Sequence, residues 1–178
     1  MNALITTIIV GVSLSMDAFS LALAYGTYGL NNKEKILLSV IVGCFHFFMP
    51  LIGLWFGNII FSYFVFNIRI VVSVIFSVIG ISMIISSIND NEERIMVSLI
   101  GFLLFGLSVS IDSFTTGIGL NSINSNYFQV SCIFMFISGV FTYMGLYLGV
   151  ILNKNFGKWS TFVGGIVLIF MGLYYLLN

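Results

Sequence analysis

Charge is nearly absent from this sequence. Six Lys and Arg and six Asp and Glu make up 7% of its 178 residues, too few to clothe a water-soluble domain of that size. The net charge is zero and no basic stripe interleaves with aromatics, which excludes a nucleic-acid-binding face. Only two cysteines occur, Cys44 and Cys132, in apolar runs and without CxxC spacing. A disulfide framework or zinc site is therefore not indicated, and both read as small membrane-buried side chains. No GxxxxGK[ST] loop is present to bind ATP, and neither HExxH nor a Ser/His/Asp arrangement marks an enzyme. The first apolar stretch lacks a basic leader region and carries Asp17 in its middle, so it reads as a retained span, not a signal peptide.

What is present is apolar: 60% of the residues are hydrophobic and the mean hydropathy is +1.16. A hydrocarbon core about 30 Å thick takes roughly 20 helical residues. Six runs fit, at about 3–26, 36–62, 68–88, 95–119, 127–151 and 160–177. The predicted fold is an all-α integral membrane protein of six transmembrane helices in one membrane domain spanning residues 1–178. Short loops rich in Lys and Arg stay cytoplasmic. Lys33, Lys35, Arg94, Lys154 and Lys158 fall in alternate loops and only Arg69 on the other side, which predicts both termini outside. Trp159, Tyr174 and Tyr175 suit interfacial anchoring in the lipid bilayer.

The chain also repeats. Gly11-Val-Ser-Leu-Ser-Met-Asp17-Ala-Phe19 returns as Gly106-Leu-Ser-Val-Ser-Ile-Asp112-Ser-Phe114 at an offset of 95. Gly53-Leu-Trp-Phe-Gly57 returns as Gly145-Leu-Tyr-Leu-Gly149, and Gly80 as Gly172, both at an offset of 92. Repeat one covers about 3–88 and repeat two about 95–177. Three spans per repeat is an odd number, so the second repeat enters the membrane from the opposite side. Two inverted three-helix repeats of this kind place a site near the midplane of many transporters.

Each repeat contributes one carboxylate to mid-membrane, where an ionised group costs about 2.5–3.5 kcal/mol on insertion scales. Helical spacing puts Ser13, Asp17 and Ser20 on one face of span 1, and Ser108, Asp112, Thr115 and Thr116 on the matching face of span 4. Such an oxygen-rich set suits a divalent cation such as Mn²⁺ or Mg²⁺. His46, the single histidine, is a further candidate metal ligand or proton carrier, and equally a neutral His bonded to backbone near Pro50. Pro50 removes a backbone donor in mid-span. Gly53, Gly57, Gly145 and Gly149, with Ala18-xxx-Ala22-xxx-Gly26 and Ser113-xxx-Gly117, are small-residue ladders that let helix backbones approach. Asn121 reads first as a helix C-cap and second as an amide at a cavity mouth.

Ser13-Leu-Ser-Met-Asp-Ala-Phe19, Met49-Pro-Leu-Ile-Gly53 and Ser110-Ile-Asp-Ser-Phe114 with Gly117-Ile-Gly-Leu120 resemble the signature segments of the MntP family of manganese efflux pumps. The resemblance covers essentially the whole chain and implies export of Mn²⁺ from the cytoplasm through Asp17 and Asp112. The family carries an acidic residue in span 2 before the Pro-Leu-Ile-Gly segment, where this chain has His46. Moving two charges outward against an inside-negative 100 mV costs about 4.6 kcal/mol, so the expected transport is secondary active and coupled to protons. One three-helix half rocking against the other would give alternating access. Alternatives from other classes are a membrane assembly protein whose Asp pair only locks the halves, and an exporter of another small solute.

Overall fold

In hydrocarbon a backbone can bond only to itself, so apolar runs of this length become helices. The computed structural model describes residues 3–60, 68–88, 97–118, 126–156 and 158–177, and among these every regular element is an α-helix. The helices are α1 (Ala3–Gly26), α2 (Asn32–Ile60), α3 (Ile68–Ile88), α4 (Leu99–Val109), α5 (Ile111–Ile118), α6 (Tyr127–Phe156) and α7 (Lys158–Leu177). Three are long and apolar enough to cross a bilayer within Leu4–Gly26, Asn32–Trp55 and Tyr127–Asn155. The pair α4 and α5, bent by 40°, makes a fourth when read as one span.

Several boundaries differ from expectation: α4 begins at Leu99 and not 95, α6 runs on to Phe156 and not 151, α7 begins at Lys158 and not 160, and two further departures have a clear local reason. Helix α2 starts four residues before the predicted Ile36, because Asn31 and Glu34 form a reciprocal cap. The Asn31 side chain accepts from the Glu34 N–H at 2.9 Å, and the Glu34 carboxylate accepts from the Asn31 N–H at 2.7 Å. Gly29, at φ 75°, supplies the left-handed turn that brings α1 round to this cap. The fourth run is not one continuous helix: it breaks at Ser110, whose φ of −97° and ψ of 3° leave the helical region. The Ser110 hydroxyl donates to the Gly106 carbonyl at 2.6 Å and so occupies an acceptor near the end of α4.

Close backbone contacts between small residues set the helix register. A Cβ on Gly145 would lie 2.5 Å from the Phe19 carbonyl oxygen, and Gly11 faces Phe134 and Ile137. Residue numbers rise together along this seam, so α1 and α6 run parallel. Gly53 meets the carbonyl of Phe114, Gly117 that of Pro50, and Gly106 faces Ile41 and Phe45, so α2 runs parallel to α4 and α5. Gly80 meets Gly165 and Gly172 meets Ser73, which makes α3 and α7 antiparallel. Gly43 meets Met135 while Gly139 faces Ser39, which makes α2 and α6 antiparallel too. At one end of the bundle Thr161 donates to the Thr27 carbonyl at 2.7 Å, and the Asn153 amide reaches both, tying α6 and α7 to α1.

The extensive interfaces are therefore α1–α6, α3–α7, α2–α6 and α2–α5. Every one joins a helix from residues 3–88 to a helix from residues 99–177. Among the described residues helices within one half scarcely touch, so no core within a single half is seen that could move as a rigid body. The expected rocking of one half against the other lacks that structural basis. The core gathers instead between halves, where Tyr25 of α1 packs on Phe105 of α4 with ring centroids 4.9 Å apart.

Candidate functional site

The two Asp residues occupy unequal surroundings. Asp17 lies in unbroken helix on an exposed face of α1, together with Ser13 and Ser20. Asp112 is half-buried and stands in the first turn of α5, directly after the break. There the dipole of a new helix favours a negative side chain. Ser108 is buried, Thr116 half-buried and Thr115 exposed, so the break spreads this set over several directions. Span 4 thus does not present the single continuous face that helical spacing predicts.

The hydroxyls on these faces are committed donors. Ser13 donates to Ile9 at 2.9 Å and Ser108 to Leu104 at 2.8 Å, the same bond one offset apart. Ser20 donates to Met16 at 2.9 Å, Thr115 to Ile111 at 3.1 Å, and Thr116 to Asp112 at 2.9 Å, in each case to a backbone carbonyl. With the hydrogen turned inward along the helix, the oxygen keeps lone pairs for an acceptor role, as a cation ligand requires.

His46 is 1% exposed, and its Nδ1 lies 3.0 Å from the Val42 carbonyl. A carbonyl only accepts, so Nδ1 carries the hydrogen and, in the neutral ring, the lone pair sits on Nε2. Pro50 has no N–H to give the His46 carbonyl four residues back, which leaves that carbonyl without its helical donor. Asp17, Asp112 and His46 are not brought together: among the described residues no three His, Cys, Asp or Glu side chains form a metal-binding group. Gly53, Gly145 and Gly149 pack backbone to backbone as the ladders predict. Asn121 and the surroundings of Gly57 lie outside the described residues. Cys44 is exposed on the surface of α2 and Cys132 half-buried on α6, both free and both within helices long and apolar enough to cross a bilayer; Gly43, beside Cys44, takes the α6 contact.

Residues 29–176 match the protein family described as "Putative manganese efflux pump". The chain belongs to the MntP family. It is 33% identical over 171 residues to "Putative manganese efflux pump MntP" of Bacillus pumilus, covering 96% of this chain and 93% of the relative. Proteins of the same name from Bacillus thuringiensis subsp. konkukian and Shouchella clausii are each 32% identical over 174 residues. They cover 97% of this chain and 96% and 97% of the relatives respectively. No solved structure matches the chain. The MntP assignment makes this a membrane transporter family member and bears out the resemblance carried by the Asp segments.

Motif reading of an MntP-family chain misses one feature of the interior. Four buried hydroxyls among the described residues, on Ser113, Ser131, Ser138 and Thr142, have no hydrogen-bond partner. Three of them lie on α6, which carries no acidic residue to draw attention to it. The available signal was their spacing of seven and four, which sets them on one helical stripe.

Proposed function

We propose that this protein exports a divalent cation, Mn²⁺, from the cytoplasm across the plasma membrane by secondary active transport coupled to protons. The observation that carries this reading is family membership along nearly the whole chain, with relatives named for manganese efflux. Asp17 and Asp112 are the carboxylates that bind the cation in this reading. Hydroxyl oxygens of Ser13, Ser20, Ser108, Thr115 and Thr116 and the freed His46 carbonyl supplement them, and the His46 imidazole is a further ligand. Hard cations accept such oxygen sets with some nitrogen. Cation binding needs ionised carboxylates, and proton uptake from the outside displaces the metal there.

The reading includes six spans in two inverted repeats, with both termini outside. Its support is that contacts recur under the sequence offsets. The Gly145–Phe19 contact becomes Gly53–Phe114 when the halves are exchanged, and Gly80–Gly165 becomes Gly172–Ser73. Parallel α1–α6 and antiparallel α3–α7 are the directions that six alternating spans require.

The test is uptake into inverted membrane vesicles of a panel of divalent cations, with and without an imposed pH gradient. Mn²⁺ uptake that depends on the gradient, and that Asp17→Asn and Asp112→Asn each abolish, is the expected result. Unaltered uptake in both variants removes the carboxylates from the mechanism. Absence of Mn²⁺ uptake in the unmodified protein removes the cation.

A further inference from the structure

The unpartnered hydroxyls of α6 are anomalous within this protein. A Ser or Thr in a helix can always give its hydrogen to the carbonyl one turn back, and Ser13, Ser15, Ser39 and Ser108 all do so. Ser131, Ser138 and Thr142 do not, although each is 0% exposed and has no protein partner. A buried hydroxyl without a partner is disfavoured wherever the surroundings are apolar. Three on one stripe of one helix, spaced by seven and four residues, extend over about 16 Å at 1.5 Å per residue.

The neighbouring helices place chemistry beside that stripe. On the parallel register of α1 and α6, fixed by Gly11 against Phe134 and Ile137 and by Gly145 against Phe19 and Ala22, each hydroxyl has a level on α1. Ser131 is level with Thr7, Ser138 with Leu14, and Thr142 with Ala18, next to Asp17 in the chain. On the antiparallel register of α2 and α6, set by Gly43 against Met135, the level of His46 is that of Cys132, next to Ser131. The stripe therefore runs from the height of the one histidine to the height of one of the two repeated carboxylates.

We infer that Ser131, Ser138 and Thr142 form a hydrated file along α6, a row of water-binding hydroxyls that leads a hydrated divalent cation and its exchanging protons to and from Asp17. The inference rests on the proposed cation export for what travels along the file, but not for the file's being hydrated. Buried waters bind where several polar groups would otherwise lack partners, which is the condition along this stripe. The pairing of a hydroxyl file on α6 with a carboxylate on α1 also joins the two halves of the chain in one path.

Cysteine scanning reads hydration without reading transport. In a Cys44→Ser, Cys132→Ser background, single cysteines replace Ser131, Ser138 or Thr142, and in controls Val140 or Leu148, each 41% exposed on the outer surface of the same helix. Full-length protein in membrane vesicles is treated with a small water-soluble methanethiosulfonate. Thiols on the file are expected to react about tenfold faster than the controls, because only a solvated thiol ionises to the reactive thiolate. Mn²⁺ is expected to slow their reaction. File thiols as inert as Val140→Cys and Leu148→Cys overturn the hydrated file, whatever the transport assay shows. Reactive thiols that Mn²⁺ leaves unprotected keep the water but overturn the file as the cation's route. Ser→Cys is nearly isosteric, and Ser138→Ala and Thr142→Val supply a second readout: unchanged thermal stability with reduced Mn²⁺ uptake is expected. Reduced stability with normal uptake per folded molecule makes the hydroxyls structural and overturns the inference.

Discussion

Gly149 of α6 rests directly on Gly26 of α1: a Cβ on Gly149 would lie 2.8 Å from the Gly26 Cα, and it would meet the Leu23 carbonyl as well. Backbone cannot retreat as a flexible side chain can, so a methyl group here must push the helices apart. Gly149→Ala is expected to destabilise by about 1–3 kcal/mol, the usual range for overpacking. Gly139→Ala, whose Cβ would meet only the Ser39 carbonyl at 3.5 Å, is the control expected to be near neutral. Reversible unfolding in mixed micelles measures the pair, and equal losses would discredit the register drawn between α1 and α6.

The reciprocal cap at the start of α2 gives a second expectation. Glu34→Ala removes the acceptor for the Asn31 N–H, and Asn31→Ala the acceptor for the Glu34 N–H. Loss of a helix cap costs about 1 kcal/mol, with the Asn31 change at the larger end. Because the two bonds satisfy different donors, the double variant should lose close to the sum in the same micelle assay.

His46 can be resolved into its two nitrogens. Asparagine can reproduce the Nδ1 donor toward the Val42 carbonyl but does not reach the Nε2 position; glutamine reaches Nε2. His46→Asn is therefore expected to fold normally and lose Mn²⁺ uptake severalfold, with His46→Gln retaining more. Full uptake in His46→Asn would leave the ring with a structural role only.

A cation bound to the folded state stabilises it by mass action, by about 2.7 kcal/mol at a hundred times Kd. Thermal unfolding in detergent should shift upward with Mn²⁺ and return on chelation. In the Asp17→Asn, Asp112→Asn double variant the shift should vanish while the metal-free midpoint stays within a few degrees. A shift that survives the double substitution would place the cation elsewhere.

The helices were legible because apolar runs of this length leave the backbone little freedom: Ala3, Gly26, Ile68 and Ile88 fall at the predicted ends of α1 and α3. The cap at Asn31 and Glu34 was equally readable, and it moves α2 by a full turn. The break at Ser110 was not, since Ser-Ile-Asp contains neither Pro nor Gly and its counterpart at Ser15 sits within continuous helix. Identical motifs hold different backbones because α1 rests on α6 for most of its length, whereas α5 is a short segment held by α2. The exposure of Asp17 against the half-burial of Asp112 follows from that difference, which no spacing rule contains. Likewise the partners of Ser131, Ser138 and Thr142 depend on helices far away in sequence.

The interleaving of the halves bears on how the chain is made. A ribosome delivers α1, α2 and α3 to the membrane first, yet the surfaces that α1 and α3 are shaped to meet belong to α6 and α7. Until the second half arrives, those three helices lack their packing partners and their glycine seams stay bare. Folding of this protein is thus a late event in its synthesis, and a chain stopped near residue 90 would be inserted but not folded.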